Sequence, residues 1–156
     1  MTRKIVLREV TPEDEGFLYN LYKLSRVEEF AIAQLTETEF ETLMRLQYAA
    51  RKMSYEGNYP DSNHSVVVVD GIDAGQIWVD RGDTQIRMID ISIARAFQNQ
   101  GIGAALMRDL MAEARDAGLP LRCSVATNNP GSLRFHQRLG FQITSADEMY
   151  YQMQYA

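Results

Sequence analysis

The stretch Ile86-Arg-Met-Ile-Asp-Ile-Ser-Ile-Ala94, followed by Arg95-Ala-Phe-Gln-Asn-Gln-Gly-Ile-Gly-Ala-Ala-Leu106, decides the fold of this chain. Its first half predicts a β-strand, because it is rich in isoleucine and carries apolar residues at both odd and even positions. A strand that is apolar on both faces lies in the middle of a sheet and is covered on both sides. The second half predicts a turn that opens a helix.

The turn has the form Gln-x-x-Gly-x-Gly from Gln98 to Gly103. Glycines let the backbone approach a ligand closely, and the first N–H groups of a helix have no acceptor within it, so an anionic phosphate fits here. A P-loop is excluded because Ala104 follows where lysine is needed. A dinucleotide-binding fingerprint is excluded because Leu106 replaces the third small residue. A glycine-rich turn without any ligand stays open on this stretch alone.

The chain has 156 residues and a formal net charge of −5 at pH 7. This length suits one domain, expected over residues 3–156. The acidic balance argues against nucleic acid and anionic membrane as partners and mildly favours cationic substrates such as amines. No run reaches transmembrane length, and the N-terminus lacks the apolar stretch of a signal peptide.

The single cysteine, Cys123, rules out an internal disulfide and fits a reducing compartment, so a cytoplasmic protein is expected. Because it lies in a predicted strand, we interpret it as a small buried hydrophobe. His64 and His136 are far apart, and neither belongs to a ligand-spaced cluster, so no metal is expected.

Before this central stretch, the pattern predicts two helices. Thr11-Pro12 begins the first, whose end near residues 26–30 the sequence leaves unclear. Thr36-x-x-Glu39 is a capping box that begins the second, expected to end near Tyr55 because a break at residues 57–61 follows.

Strands and two further helices complete the pattern. Asp70-Gly71 predicts a tight hairpin, Gly118 caps the third helix, and Asn129-Pro130 begins a fourth that ends at Gly140. The predicted strands cover residues 4–10, 64–69, 74–80, 86–94, 121–126, 141–144 and 149–154.

The second informative stretch is Asn129-Pro-Gly-Ser-Leu-Arg-Phe-His-Gln-Arg-Leu-Gly-Phe141. It resembles the C-terminal signature of GNAT-superfamily N-acetyltransferases, commonly Asn-x-x-Ala-x-x-Phe-Tyr-x-x-x-Gly-Phe, and the glycine turn resembles their pyrophosphate-binding segment. The order of elements matches over nearly the whole chain. The resemblance implies an α/β (α+β) GNAT-like fold, in which a mostly antiparallel central sheet is splayed at the cofactor groove and flanked by helices.

The resemblance also implies acetyl-CoA as co-substrate, with its pantetheine arm between the two splayed strands. Backbone groups of Ile91 and Ile93 would meet the arm, Asn129 and Ser132 would lie along it, and Phe135 would either lie near it or pack in the core. The amides implied to meet the pyrophosphate are those of Gln98, Asn99, Gln100, Gly101, Ile102, Gly103 and Ala104.

The implied reaction is acetyl transfer from the thioester to a primary amine of a small molecule or peptide. His136 stands where many members have a tyrosine acid. It could protonate the thiolate, or it could be a packed histidine, in which case catalysis would come from positioning alone. Asp90 is a candidate base, or a structural acid bound to an arginine such as Arg87. Glu28 and Glu29 could attract an amine or form a solvated face.

An acetyl-CoA-dependent N-acetyltransferase is the leading hypothesis. A non-catalytic acyl-CoA-binding module is the alternative, and a nucleotide-binding protein using the same turn is a remote third. Family members are often dimers, so a homodimer is compatible with the resemblance.

Overall fold

The computed structural model describes residues 3–156, apart from the side chain of Ile32. The strands are β1 (Ile5–Glu9), β2 (Asn63–Val69), β3 (Ile72–Arg81), β4 (Ile86–Ile93), β5 (Leu121–Ala126), β6 (Gln142–Ala146) and β7 (Tyr150–Tyr155). The α-helices are α1 (Glu15–Phe30), α2 (Glu37–Asn58), α3 (Ile102–Ala117) and α4 (Pro130–Leu139), with 3₁₀ turns at Pro12–Asp14, Ala31–Ala33 and Arg95–Phe97.

The strands form one sheet of seven in the order β1-β2-β3-β4-β5-β7-β6. Every neighbouring pair is antiparallel except β4 and β5, which are parallel and joined through α3. The predicted fold class, a mostly antiparallel sheet flanked by helices, is therefore confirmed. The insertion of β7 between β5 and β6 was not part of the prediction.

Helices cover the two faces of the sheet in pairs. On β4, Ile86 and Met88 are buried against α3, so Arg87 between them points to the opposite face. That opposite face carries α1 and α2 over β3 and β4, where Tyr55 of α2 meets Trp78 of β3 edge-on at 5.2 Å between ring centroids. The main core, on the α3 side, includes Ile77, Val79, Leu106, Met107, Leu110, Leu121, Cys123, Val125 and Met153.

The end of α2 differs from the sequence prediction, and the end of α1 was one that the sequence left unclear. α2 continues past Gly57 to Asn58, because one glycine in a last turn costs only about 1 kcal/mol. The helix stops where Pro60 disfavours helical geometry in Tyr59. α1 stays helical to Phe30, and an Arg26–Glu29 ion pair, with 2.6 Å between Nε and Oε2, spans its last turn.

The final hairpin also lies slightly later in the chain than predicted, with strands at Gln142–Ala146 and Tyr150–Tyr155. Among residues 3–156, no helix combines the length and the apolar character that crossing a membrane requires.

Candidate active site

β4 and β5 pair only near their beginnings. Ile86 lies opposite Leu121 and Arg87 opposite Arg122, and no further pair joins the two strands in the described chain, although β4 continues to Ile93. Beyond these pairs, the facing backbone groups of both strands lack sheet partners. The predicted splaying of the sheet is present here.

A β-bulge lies in β4 where the strands part. Trp78 of β3 pairs with Asp90, whereas the next residue, Val79, pairs with Met88, so Ile89 is the extra residue. A bulge bends its strand and increases the local twist. The bend changes the direction of β4 at the point where it leaves β5.

A cleft of about 370 Å³ occupies the gap between the two strands. It brings together five of the residues that the sequence analysis selected: Asp90, Ile91, Asn129, Ser132 and His136. Its other walls come from α2, β4, β5 and β7. Their contributions include Tyr55, Tyr59, Arg87, Ser124 and Tyr150.

The turn before α3 presents backbone N–H groups without acceptors. Gly101, with a φ of 78°, precedes the helix, and the first following bond runs from Ala105 N–H to Gly101 O at 3.0 Å. No side chain caps the helix and its first turn holds no acidic residue. Within residues 3–156, the amides of 101–104 thus have no acceptor. This donor set fits an anionic pyrophosphate.

Two glutamine side chains hold the same turn in place. Gln98 Nε2 donates to Ile93 O at 2.9 Å, and Gln100 Nε2 donates to Ala96 O at 3.0 Å. Asn99 between them has a φ of 61°, in the left-handed region that asparagine tolerates better than most residues. The glutamine side chains therefore shape the turn, which leaves its amides as the groups available to a ligand.

The backbone of β4 has a defined orientation next to the gap. Ala94 N–H donates to Ala74 O on β3 at 2.7 Å. Because backbone groups alternate in direction along a strand, Ile93 and Ile91 direct theirs away from β3 and towards the gap.

Phe135 connects α4 to the glycine turn. Its ring packs edge-on against His136, with 5.1 Å between centroids, and its Cζ lies 3.7 Å from the position of a Cβ on Gly103. Asn129 begins the same helix, and its Oδ1 accepts from Ser132 N–H at 3.1 Å. These contacts fix the α4 side of the cleft.

His136 is a buried histidine, only 3% exposed. A carbonyl oxygen can only accept, so Nδ1–H donates to Ser132 O at 2.8 Å. Within the described chain, Nε2 is the one buried side-chain nitrogen or oxygen without a hydrogen-bond partner. Burial lowers the pKa of the imidazole, partly offset by the bond to Ser132 O. The ring is therefore held neutral, with a free lone pair on Nε2.

The Asp90 carboxylate has two partners on neighbouring elements. Its Oδ2 lies 3.1 Å from Arg51 of α2 and accepts from Gln76 Nε2 at 2.6 Å. Gln76 Oε1 in turn accepts from His64 Nε2 at 2.9 Å. Burial lowers the pKa of His64, although the bond to Gln76 opposes this shift. The arginine that pairs with Asp90 is thus Arg51 and not Arg87.

Comparison with known proteins assigns the family. A family model described as "Acetyltransferase (GNAT) family" matches residues 18–141. The chain belongs to the GNAT acetyltransferase family. The predicted family, the acyltransferase class and acetyl-CoA as acyl donor are confirmed for this domain.

Solved structures share the GNAT fold over nearly the full chain. The PaiA N-acetyltransferase from Thermoplasma acidophilum, in complex with coenzyme A, has a TM-score of 0.72 at 18% identity, covering 99% of this chain and 98% of its own. An acetyltransferase from Thermus thermophilus reaches 0.71 at 18% identity, with 97% and 96% covered. YncA from Salmonella typhimurium, with its cofactor acetyl-CoA, reaches 0.58 at 19%, with 97% and 93% covered.

A curated relative matches over a shorter stretch. The uncharacterized N-acetyltransferase CgeE of Bacillus subtilis (strain 168) is 24% identical over 71 residues. This match spans 46% of the present chain and 27% of the relative, so only about a quarter of that protein's length is represented.

Two predicted substrate residues of the GNAT domain lie outside the cleft between β4 and β5. Glu29 pairs with Arg26 on α1. Glu28, whose side chain is 89% exposed, lines a separate hollow between α1 and the end of β4, where its carboxylate lies 3.7 Å from Arg95. Their role in substrate binding stays a prediction.

Sequence reasoning missed several residues that the structure places in or beside the cleft. They are Arg51, Tyr55, Tyr59, Gln76 and Tyr150. None lies in a motif, and α2 has the pattern of an ordinary amphipathic helix. The excess of tyrosines near the end of α2 was the one available signal.

Proposed function

We propose that this protein is an acetyl-CoA-dependent N-acetyltransferase that acts on a primary amine of a small molecule or peptide, through a single domain spanning residues 3–156. The observation that carries the proposal is the cleft between β4 and β5 together with the unpartnered amides of 101–104. Helix α4 connects the two, because Ser132 and His136 line the cleft and Phe135 lies against Gly103. A phosphate site and a gap in a sheet are together what a long acyl-thioester donor needs.

The donor would be held mainly by backbone groups. The amides from Gln98 to Ala104 would bind the pyrophosphate, and the strand edge at Ile91 and Ile93 would bind the arm. Asn129, Ser132 and Phe135 would line the arm from α4. Acetyl-CoA supplies an activated thioester, from which the acetyl group passes to the amine.

His136 is the proposed proton carrier. Acetyl transfer removes one proton from the attacking amine and adds one to the departing sulfur, so a single neutral base can carry out both proton transfers. Burial and the Nδ1–H bond to Ser132 O make Nε2 that base. Nε2 takes the amine proton and returns it to the sulfur. The predicted imidazolium acid then forms during turnover and is absent from the resting enzyme.

Asp90 is the proposed group that orients the amine. Arg51 and Gln76 both contact Oδ2, and Oδ1 has no partner among residues 3–156. A carboxylate held on one oxygen keeps the other available to accept a hydrogen bond from an ammonium or amine. Asp90 would therefore direct the nucleophile, whereas Glu28 and Glu29 would act further out, on incoming cations.

Release of free CoA thiol across an amine library tests the function. An acetyltransferase releases thiol only with particular amines, and mass spectrometry detects the acetylated product. Calorimetric binding of CoA without amine-dependent release would instead identify a non-catalytic acyl-CoA-binding module. Absence of CoA binding in the folded protein would contradict both.

A further inference from the structure

Arg87 is a cation in the cleft wall that has no carboxylate within 4 Å in the described chain. Its side chain lies on the sheet face opposite α3, as Ser124 does on β5. One guanidinium nitrogen, Nη2, donates to Ser124 Oγ at 2.5 Å and lies 3.5 Å from Gln152 Oε1. Among residues 3–156, Nε and Nη1 have no acceptor, and neither is a buried atom without a partner.

The charge of Arg87 is not balanced by the other ionised side chain of the cleft. Asp90 lies on the same strand, but its carboxylate is paired with Arg51. This wall therefore keeps a net positive charge in a chain whose formal net charge is −5. A half-buried guanidinium offers a fixed fork of donors that matches a carboxylate or phosphate.

The place of Arg87 in the cleft indicates which reactant it faces. The pyrophosphate site lies at the other end of β4, beyond Ile93. Arg87 shares the cleft with Tyr55 of α2, with Tyr59 just after that helix and with Tyr150 of β7. Arg87 and Tyr55 lie on the sheet face opposite α3, the helix that the glycine turn opens. We therefore assign this face to the acceptor amine.

We infer that Arg87, with Ser124, forms an anion subsite, and that the acceptor is an amine that also carries a carboxylate or phosphate. The amine would lie at Asp90 and the anionic group at the free Nε and Nη1 of Arg87. Arg87 and Asp90 share one sheet face and are separated by the bulge, so their Cα atoms are roughly 7–10 Å apart. The inference rests on the proposed function and specifies its acceptor.

Four matched acceptors provide the test: butylamine, 4-aminobutyrate, 3-aminopropyl phosphate and 1,4-diaminobutane. They differ only in the group at the end remote from the reacting amine. In the order given, that group is a neutral methyl, a carboxylate, a phosphate and a second, cationic amine. Binding to the CoA-saturated protein and thiol release are both measured. The better anionic probe should exceed butylamine by roughly tenfold to a hundredfold, as for a charge-assisted hydrogen-bonded pair. The two anionic arms distinguish carboxylate from phosphate.

Arg87→Gln should bring the ratio of anionic to neutral probe close to one, and Arg87→Lys should retain part of it, because lysine keeps the charge without the fork. Arg122→Gln is the matched control and should leave the ratio unchanged. Arg122 is also half-buried, on the next strand, but it donates to Gln154 and Gln85 and does not line the cleft.

Preference for butylamine or 1,4-diaminobutane would overturn the inference, as would an unchanged ratio in folded Arg87→Gln. Equal binding of all four probes would overturn it too. CoA affinity is the separate readout of the proposed function. Intact CoA binding without discrimination among the probes would rule out the anion subsite but leave the proposed function standing.

Discussion

Replacing Gly101 by alanine should separate the role of the glycine turn in phosphate binding from its role in the fold. Gly101 has a φ of 78°, and a Cβ placed there meets no atom within 4 Å. A methyl group would therefore cause no clash inside the protein. It would instead enter the space beside the unpartnered amides of 101–104, where the pyrophosphate is proposed to bind.

The structure offers a closely matched control at the other end of the same helix. Gly118 has a φ of 69°, and its Cβ would likewise meet nothing within 4 Å. A left-handed alanine costs about 1–2 kcal/mol more than glycine, so Gly101→Ala and Gly118→Ala should lose similar unfolding free energy. Urea denaturation measures this loss.

CoA affinity should distinguish the two variants. A charge-assisted hydrogen bond contributes about 1.5–3 kcal/mol, so blocking one amide should weaken CoA binding roughly tenfold to a hundredfold. Calorimetry should show this loss for Gly101→Ala and wild-type affinity for Gly118→Ala. Wild-type affinity in folded Gly101→Ala, or an equal loss in both variants, would refute the phosphate assignment.

Three further predictions concern the polar groups of the site. His136→Ala should lower kcat about a hundredfold with little change in KM, and His136→Tyr should restore part of the lost kcat. Wild-type turnover in the folded alanine variant, with chemistry rate-limiting, would show that the role of His136 is structural. Burial lowers the pKa of both His64 and His136, so the unfolded chain binds more protons and unfolding free energy should fall as pH drops below about 6.5. Urea titrations of a variant lacking both histidines should show a smaller slope in that window, and an unchanged slope would contradict the assignment. Arg51→Ala should lower the free energy of unfolding by about 1–3 kcal/mol, because it leaves Asp90 unpaired. The control Lys52→Ala removes a more exposed ion pair and should cost less than about 1 kcal/mol. Equal losses in the two variants would count against the role of Arg51.

The sequence alone determined the fold family and predicted where a phosphate would bind. Both depend on continuous segments: a strand that is apolar on both faces, the turn from Gln98 to Gly103, and the stretch from Asn129 to Phe141. Their conformations follow from local rules of periodicity, capping and glycine geometry, so they can be derived from the chain itself. The break predicted at residues 57–61 shows the limit of such rules, because Gly57 stayed helical and the helix ended just before Pro60.

Only the tertiary structure decided which side chains meet in the cleft. Arg51 belongs to no sequence motif, yet it pairs with Asp90. Arg87 donates to Ser124 through Nη2 and lines the cleft, where its Nε and Nη1 have no acceptor among residues 3–156. These pairings depend on the bulge at Ile89, on the register of β3 with β4, and on how α2 crosses the sheet. A contact between distant segments is set by packing and register together, and neither is encoded in any short stretch of sequence.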